Sequence, residues 1–163
     1  MINFLKQKIK HANVLIFFGL MTCAIQIYFF YHFRYFQRPI TPLLIELQVR
    51  PLHFWKIVQA WTPYELEVFL AHFKLDYIYP FFYSLFLFGL LIKTKQKFSY
   101  TPLIAGICDW VENTCTLLVI KNSTLPSFII VISGLMSWLK WSLILVSIFK
   151  IMNYFLAGAK PRF

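Results

Sequence analysis

Charge is what this sequence has least of, and acidic charge least of all. Asp, Glu, Lys and Arg together make 13% of its 163 residues, about half of what a soluble domain carries. Sixteen residues are basic and six acidic. With 60% of residues hydrophobic, 20% aromatic and a mean hydropathy of +0.66, this shortage excludes an ordinary water-soluble domain. It implies one integral membrane domain over residues 1–163, long enough for about four spans of about 20 residues each.

Cysteine is also sparse. Cys23, Cys108 and Cys115 form no CxxC pair. Two turns of helix would hold Cys108 and Cys115 about 10 Å apart, beyond disulfide reach. A small quinone-linked thiol oxidoreductase is therefore not expected, and the three read as apolar packing residues. No internal repeat, low-complexity tract, P-loop, dinucleotide fingerprint or serine-nucleophile elbow is found. His11, His32, His53 and His72 lack metal-ligand spacing, so no metal and no cofactor is expected.

The net charge of +10 does not imply nucleic-acid binding, because the positives sit at the ends of apolar runs. Lys6, Lys8 and Lys10 precede the first run; Arg34 and Arg38 follow it; Lys93, Lys95 and Lys97 close the second; Lys150, Lys160 and Arg162 end the chain. Such clusters orient spans against anionic headgroups.

The apolar runs predict transmembrane helices over about 14–31, 75–92, 101–120 and 128–149, after which the chain frays into the basic tail AGAKPRF. The first run is too long for a signal-peptide core, and HFRYFQR follows it instead of a small-x-small cleavage site. With four spans, nine positives fall on the side of both termini and six, more dispersed, on the other. This predicts both termini in the cytoplasm, with a bacterial inner membrane as the location.

Residues 32–74 carry too much apolar surface for a free linker. Trp55 and Trp61 predict a helical or re-entrant piece at the membrane surface. Thr62-Pro63-Tyr64-Glu65 has the form of a capping box, so a helix should begin at Pro63 and run toward Lys74 with Leu66, Phe69, Leu70 and Phe73 on one face. Pro80 predicts a kink or break early in the second span. Asn122-Ser123-Thr124 fits a glycosylation pattern in the outer loop, a match common by chance.

One stretch conflicts with its surroundings. GICDWVEN, residues 106–113, places two acids and an amide inside the third span. Each acid at a span centre costs about 2.5–3.5 kcal/mol, so partners are required. Asp109, Glu112, Asn113 and Thr116 share one helical face. Ser133, Ser137, Lys140 and Ser147 stripe the fourth span, and His72, Asp76, Tyr79 and Tyr83 the second; the first offers Thr22 and Gln26. Counted from the cytoplasmic ends, Asp109 lies about 12 Å deep, Lys140 and Tyr83 about 13.5 Å, and Glu112 about 16 Å. The expectation is an Asp109–Lys140 pair with Tyr83 and Asn113 as hydrogen-bond neighbours, and Glu112 one turn outward without a cation. Three acids facing one lysine leave an excess carboxyl, which in low dielectric favours its neutral form and can serve as a proton donor, acceptor or cation site.

In order and spacing, TPYE (62–65), DYIYPFFY (76–83), DWVEN (109–113) and KW (140–141) resemble the TPxE, DxxxPxxY, DxxEN and KW motifs of a small uncharacterised bacterial four-transmembrane-helix protein family. The resemblance covers roughly residues 61–147. It implies four helices and supplies neither an activity nor a substrate.

The fold class expected is thus an all-α membrane protein, four transmembrane helices in one bundle, with an amphipathic segment between the first two. The leading functional reading is an intramembrane site that binds or processes a lipid-like or isoprenoid amphiphile. Asp109 and Glu112 are the acid/base candidates and Lys140 the electrostatic stabiliser, with Tyr83, Asn113, Asp76 and Tyr79 as ligand-binding groups. Whether this is catalysis or binding alone stays open. Two alternatives use the same residues: a structural or accessory subunit whose polar groups fix helix packing, and a proton- or cation-coupled oligomeric transporter. The partners expected are membrane lipids and a lipid-like ligand, with a homo-oligomer or a partner membrane protein, and no nucleic acid.

Overall fold

Proline and short polar turns divide this apolar chain into helices. The computed structural model describes residues 9 and 11–157, so Lys6, Lys8, Lys10, Lys160 and Arg162 lie outside the described residues. Within them the structure is helical, without a strand. The helices are α1 (Ala12–Phe33), α2 (Thr41–Glu46), α3 (Pro51–Ala60), α4 (Pro63–Asp76), α5 (Tyr79–Lys93), α6 (Thr101–Lys121) and α7 (Phe128–Leu156).

Helices α1, α6 and α7 are each long and apolar enough to cross a membrane. The pair α4–α5 would make a fourth crossing if its two members, bent by 44°, count as one broken span. Helix α7 runs seven residues beyond the expected end at Phe149. Lys150 thereby becomes part of the helix, where its ammonium donates to the Lys97 carbonyl (3.0 Å); the tail AGAKPRF, apart from Ala157, lies outside the described residues.

Pro80 explains the bend. It sits in the first turn of α5, has no amide hydrogen to give to the Asp76 carbonyl and crowds that carbonyl with its ring. The helix therefore stops at Asp76 and restarts at Tyr79. The carbonyls at such a break need new donors in a water-free interior. Helix α6 supplies them: Asn113 Nδ2 donates to the Asp76 carbonyl (3.2 Å) and Trp110 Nε1 to that of Tyr77 (2.8 Å). Close approach of the two helices is permitted at Gly106, where a Cβ would stand 3.1 Å from Ser84 Oγ and 3.3 Å from the Pro80 carbonyl.

The capping box at α4 forms as predicted. Thr62 Oγ1 accepts from the Glu65 amide (3.2 Å), and Glu65 Oε2 accepts from the Thr62 amide (2.7 Å). The other oxygen, Oε1, accepts from the Gln37 amide (2.7 Å), so one carboxylate ties the chain leaving α1 to the start of α4. Of the apolar face expected on α4, Phe69 and Phe73 are buried while Leu66 and Leu70 are half-buried.

The segment between α1 and α4 packs back onto the helices and is no free linker. Phe36, Ile45 and Phe54 are buried in one cluster with Phe69 and Phe73 of α4, Val119 of α6 and Ile130 of α7. Each such side chain is worth about 1.5–3 kcal/mol when removed from water, enough together to offset turning an acid inward. Residues 47–49 then press on α7 at Gly134, where a Cβ would collide with the Gln48 carbonyl oxygen and stand 2.7 Å from its carbon. Trp138 Nε1 donates to the Leu47 carbonyl (3.2 Å). This contact brings the end of α2, and with it Glu46, against the middle of α7.

Candidate functional site: a lysine caged by three carboxyls

Lys140 stands at the centre of the polar interior and is 5% exposed. The stripe predicted on α7 is buried throughout: Ser133, Ser137, Lys140 and Ser147 all face inward, as do Asp109, Glu112, Asn113 and Thr116 on α6. Helical spacing alone accounts for both faces.

Lysine's flexible four-carbon stem lets its ammonium choose among acids over a sphere of positions. Its Nζ lies 3.1 Å from Asp109 Oδ1, 2.7 Å from Glu112 Oε2 and 3.5 Å from Glu46 Oε2. The Asp109–Lys140 pair is as expected from depth. Glu112 is not the unpartnered acid that helical counting suggests, because the stem reaches the extra turn and brings the ammonium nearer to it than to Asp109. The third acid, Glu46, was not among the sequence candidates. It lies on a six-residue helix far from the apolar runs, and its only sequence signal is an acid inside LLIELQV.

The remaining acid of the expected set, Asp76, is engaged elsewhere. Its Oδ2 lies 3.6 Å from His72 Nε2, and His72 Nδ1 meets the Phe69 carbonyl. His72 is enclosed by the rings of Phe29, Phe33, Phe69 and Phe73. Asp76 still acts electrostatically on both Asp109 and Glu46. Glu46 itself stands outside the spanning helices. Burial raises its carboxyl above the ordinary value, and the Lys140 ammonium pulls in the opposite direction.

Two expected neighbours are differently placed. Asn113 donates its hydrogen bond to the broken backbone at Asp76, not to the Asp109–Lys140 pair. The Tyr83 hydroxyl feels the Asp109 carboxyl and the Lys140 ammonium electrostatically yet has no hydrogen-bond partner among the described residues. Tyr79 donates to Gln26 Oε1 (2.7 Å), which fastens α5 to α1.

The polar interior is thus unevenly satisfied. Hydroxyl pairs close it toward both ends: Thr116 with Ser133 (2.7 Å) and Thr101 with Ser147 (2.9 Å). Around Lys140, however, both Glu112 oxygens, the Tyr83 hydroxyl and the Ser137 hydroxyl lack hydrogen-bond partners among the described residues. The 2.7 Å approach of Lys140 to Glu112 is a contact of opposite charges outside hydrogen-bond directionality. Buried polar atoms are otherwise nearly always paired. Cys23, Cys108 and Cys115 are free thiols.

Apolar helices of this length, surrounding a buried ion-pair cage, define a multi-pass helical membrane protein. No family model matches the chain, and neither a curated protein nor a solved structure does.

Proposed function

We propose that the Lys140 cage is an intramembrane polar site that binds or processes a lipid-like or isoprenoid amphiphile. In this reading the chain forms a four-span bundle in a bacterial inner membrane with both termini cytoplasmic, as the resemblance to the small four-span family and the distribution of positives imply. The observation that carries the reading is the set of buried polar atoms around Lys140 that lack a hydrogen-bond partner among the described residues and are not paired with its ammonium: Glu112 Oε1, Tyr83 Oη and Ser137 Oγ. A dry site with spare acceptors and hydroxyls is suited to a polar headgroup, and an amphiphile can reach it from the surrounding lipid. Asp109 and Glu112 are the groups for proton transfer, Lys140 holds developing negative charge, and Tyr83 orients. The test is native mass spectrometry of the protein extracted in mild detergent. The wild type should retain an amphiphile that Asp109→Asn and Glu112→Gln lose while expressing normally. Identical lipid content in all three would defeat the proposal.

A second reading, a structural or accessory subunit, is favoured by the Thr116–Ser133 and Thr101–Ser147 pairs, which join α6 to α7 directly. It predicts that amide variants lose assembly rather than ligand, and size-exclusion profiles of the same variants separate the two.

A further inference from the structure

The ionisable groups of the cage do not balance: acids outnumber cations. Glu46, Asp109 and Glu112 share the single ammonium of Lys140. Adding the neighbouring dyad does not correct this, because it brings one acid, Asp76, with one histidine, His72. Four carboxyls then stand with one lysine and one histidine. The spare hydrogen-bonding capacity has the same bias. Carboxylates only accept, and Glu112, wholly buried, has its Oε2 beside the Lys140 ammonium and its Oε1 without a donor among the described residues. Lys140 is already spread over three acids. The Tyr83 hydroxyl, on a residue 4% exposed and lying in the field of Asp109, and the Ser137 hydroxyl, one turn from Lys140 on a residue with no exposure, can each either give or take.

From this arrangement we infer that the cage selects a small cationic headgroup, a primary ammonium or one of similar size, and rejects phosphate and diphosphate heads. The inference rests on the amphiphile reading above and narrows it. An ammonium brings three donors and one positive charge to a place with spare acceptor oxygens and more carboxyls than cations, where it can take the place of the proton on the excess carboxyl. A phosphate brings further acceptors and further negative charge, and is disfavoured by the carboxylates paired with Lys140. The approach runs past Glu46, whose side chain keeps 18% of its exposure and is flanked on α2 by the exposed Leu43 and Leu44, an apolar margin for an alkyl tail. Glu46 is on this view a selectivity residue delivered by the segment between α1 and α4.

The experiment uses the full-length protein in lipid nanodiscs and follows its thermal unfolding against four probes: dodecylammonium, dodecyl phosphate, methylammonium, and sodium at matched ionic strength. Dodecylammonium should raise Tm saturably, and dodecyl phosphate and sodium should not. Glu112→Gln and Glu46→Gln should each weaken the apparent affinity about tenfold, while Glu67→Gln, at an exposed acid, should leave it unchanged. If Glu112→Gln does not fold, Glu46, the more exposed of the two, carries the comparison. Stabilisation by dodecyl phosphate instead would overturn the cationic preference and leave the amphiphile reading standing. Equal stabilisation by methylammonium at equal concentration would keep the cation and remove the amphiphile. No stabilisation by either amine or phosphate would remove both, and so would an equal loss in the Glu67 variant, which would mark the effect as surface charge.

Discussion

The Lys140 ammonium lies 2.7 Å from Glu112 Oε2, nearer than to the Asp109 carboxylate at its own depth. The two acids are three residues apart on α6, so one ammonium bridges a full face of that helix. Removing the lysine leaves three carboxyls facing one another. Lys140→Met should therefore cost about 3–5 kcal/mol, the range for orphaning a buried ionic partner, and clearly more than Glu112→Gln, which leaves Asp109 and Glu46 in place. Denaturant midpoints in mild detergent measure both. An unchanged midpoint for Lys140→Met would mean that Lys140 does not hold the cage together.

A charge exchange distinguishes a pair from a cage. If Asp109 and Lys140 were an isolated couple, Asp109→Lys combined with Lys140→Asp would restore what each single change removes. Here the exchange seats an aspartate at position 140 beside Glu112 and Glu46. The double variant should remain destabilised, with Tm closer to that of the worse single variant than to wild type. Full recovery would show that Glu46 and Glu112 are bystanders.

The break between α4 and α5 depends on side chains from another helix. Asn113→Ala leaves the Asp76 carbonyl without its donor, and Trp110→Phe does the same for Tyr77. Each should cost about 1–3 kcal/mol. Hydrogen exchange should quicken at residues 77–81 in both, ahead of any change in α7. Exchange that is unaltered there would remove these two residues from the role of caps.

Gly134 is where the covering segment touches α7. Gly134→Ala pushes a methyl into the Gln48 backbone, and backbone cannot yield as a flexible side chain does, so a loss of about 1–3 kcal/mol is expected. The more telling measurement is access. A cysteine introduced at Glu46 should react faster with a water-soluble maleimide in the Gly134→Ala background than in the wild type. Equal rates would mean that residues 47–49 do not control entry past Glu46.

Much of this architecture is written locally. The alternation of apolar runs with lysine clusters marks the long helices, because about 20 apolar residues are what a bilayer core requires. Thr62, Pro63 and Glu65 specify the start of α4 through contacts three residues apart, and Pro80 dictates the break through the hydrogen it lacks. The 3.6-residue period places Asp109, Glu112, Asn113 and Thr116 on one face, and counting depth brings Lys140 level with Asp109. These are properties of a helix and of its neighbours along the chain.

Tertiary packing decided the rest. Which acid the Lys140 ammonium favours depends on a long side chain whose reach exceeds a helical turn, so depth counted along the backbone could not rank Glu112 against Asp109. The work of Asn113 and Trp110 in satisfying the broken helix required knowing that α6 lies against the α4–α5 junction. The entry of Glu46 into the cage is the clearest case. Its own helix has six residues and no span-like signal, and it is carried to Lys140 only because Phe36, Ile45 and Phe54 find a cluster to bury in and Gly134 leaves room for the Gln48 backbone. The sequence by itself determined that acids lie inside the membrane helices and on which faces. The tertiary structure decided how many acids meet one lysine, because that number depends on a contact between segments remote in the chain, for which no local period exists.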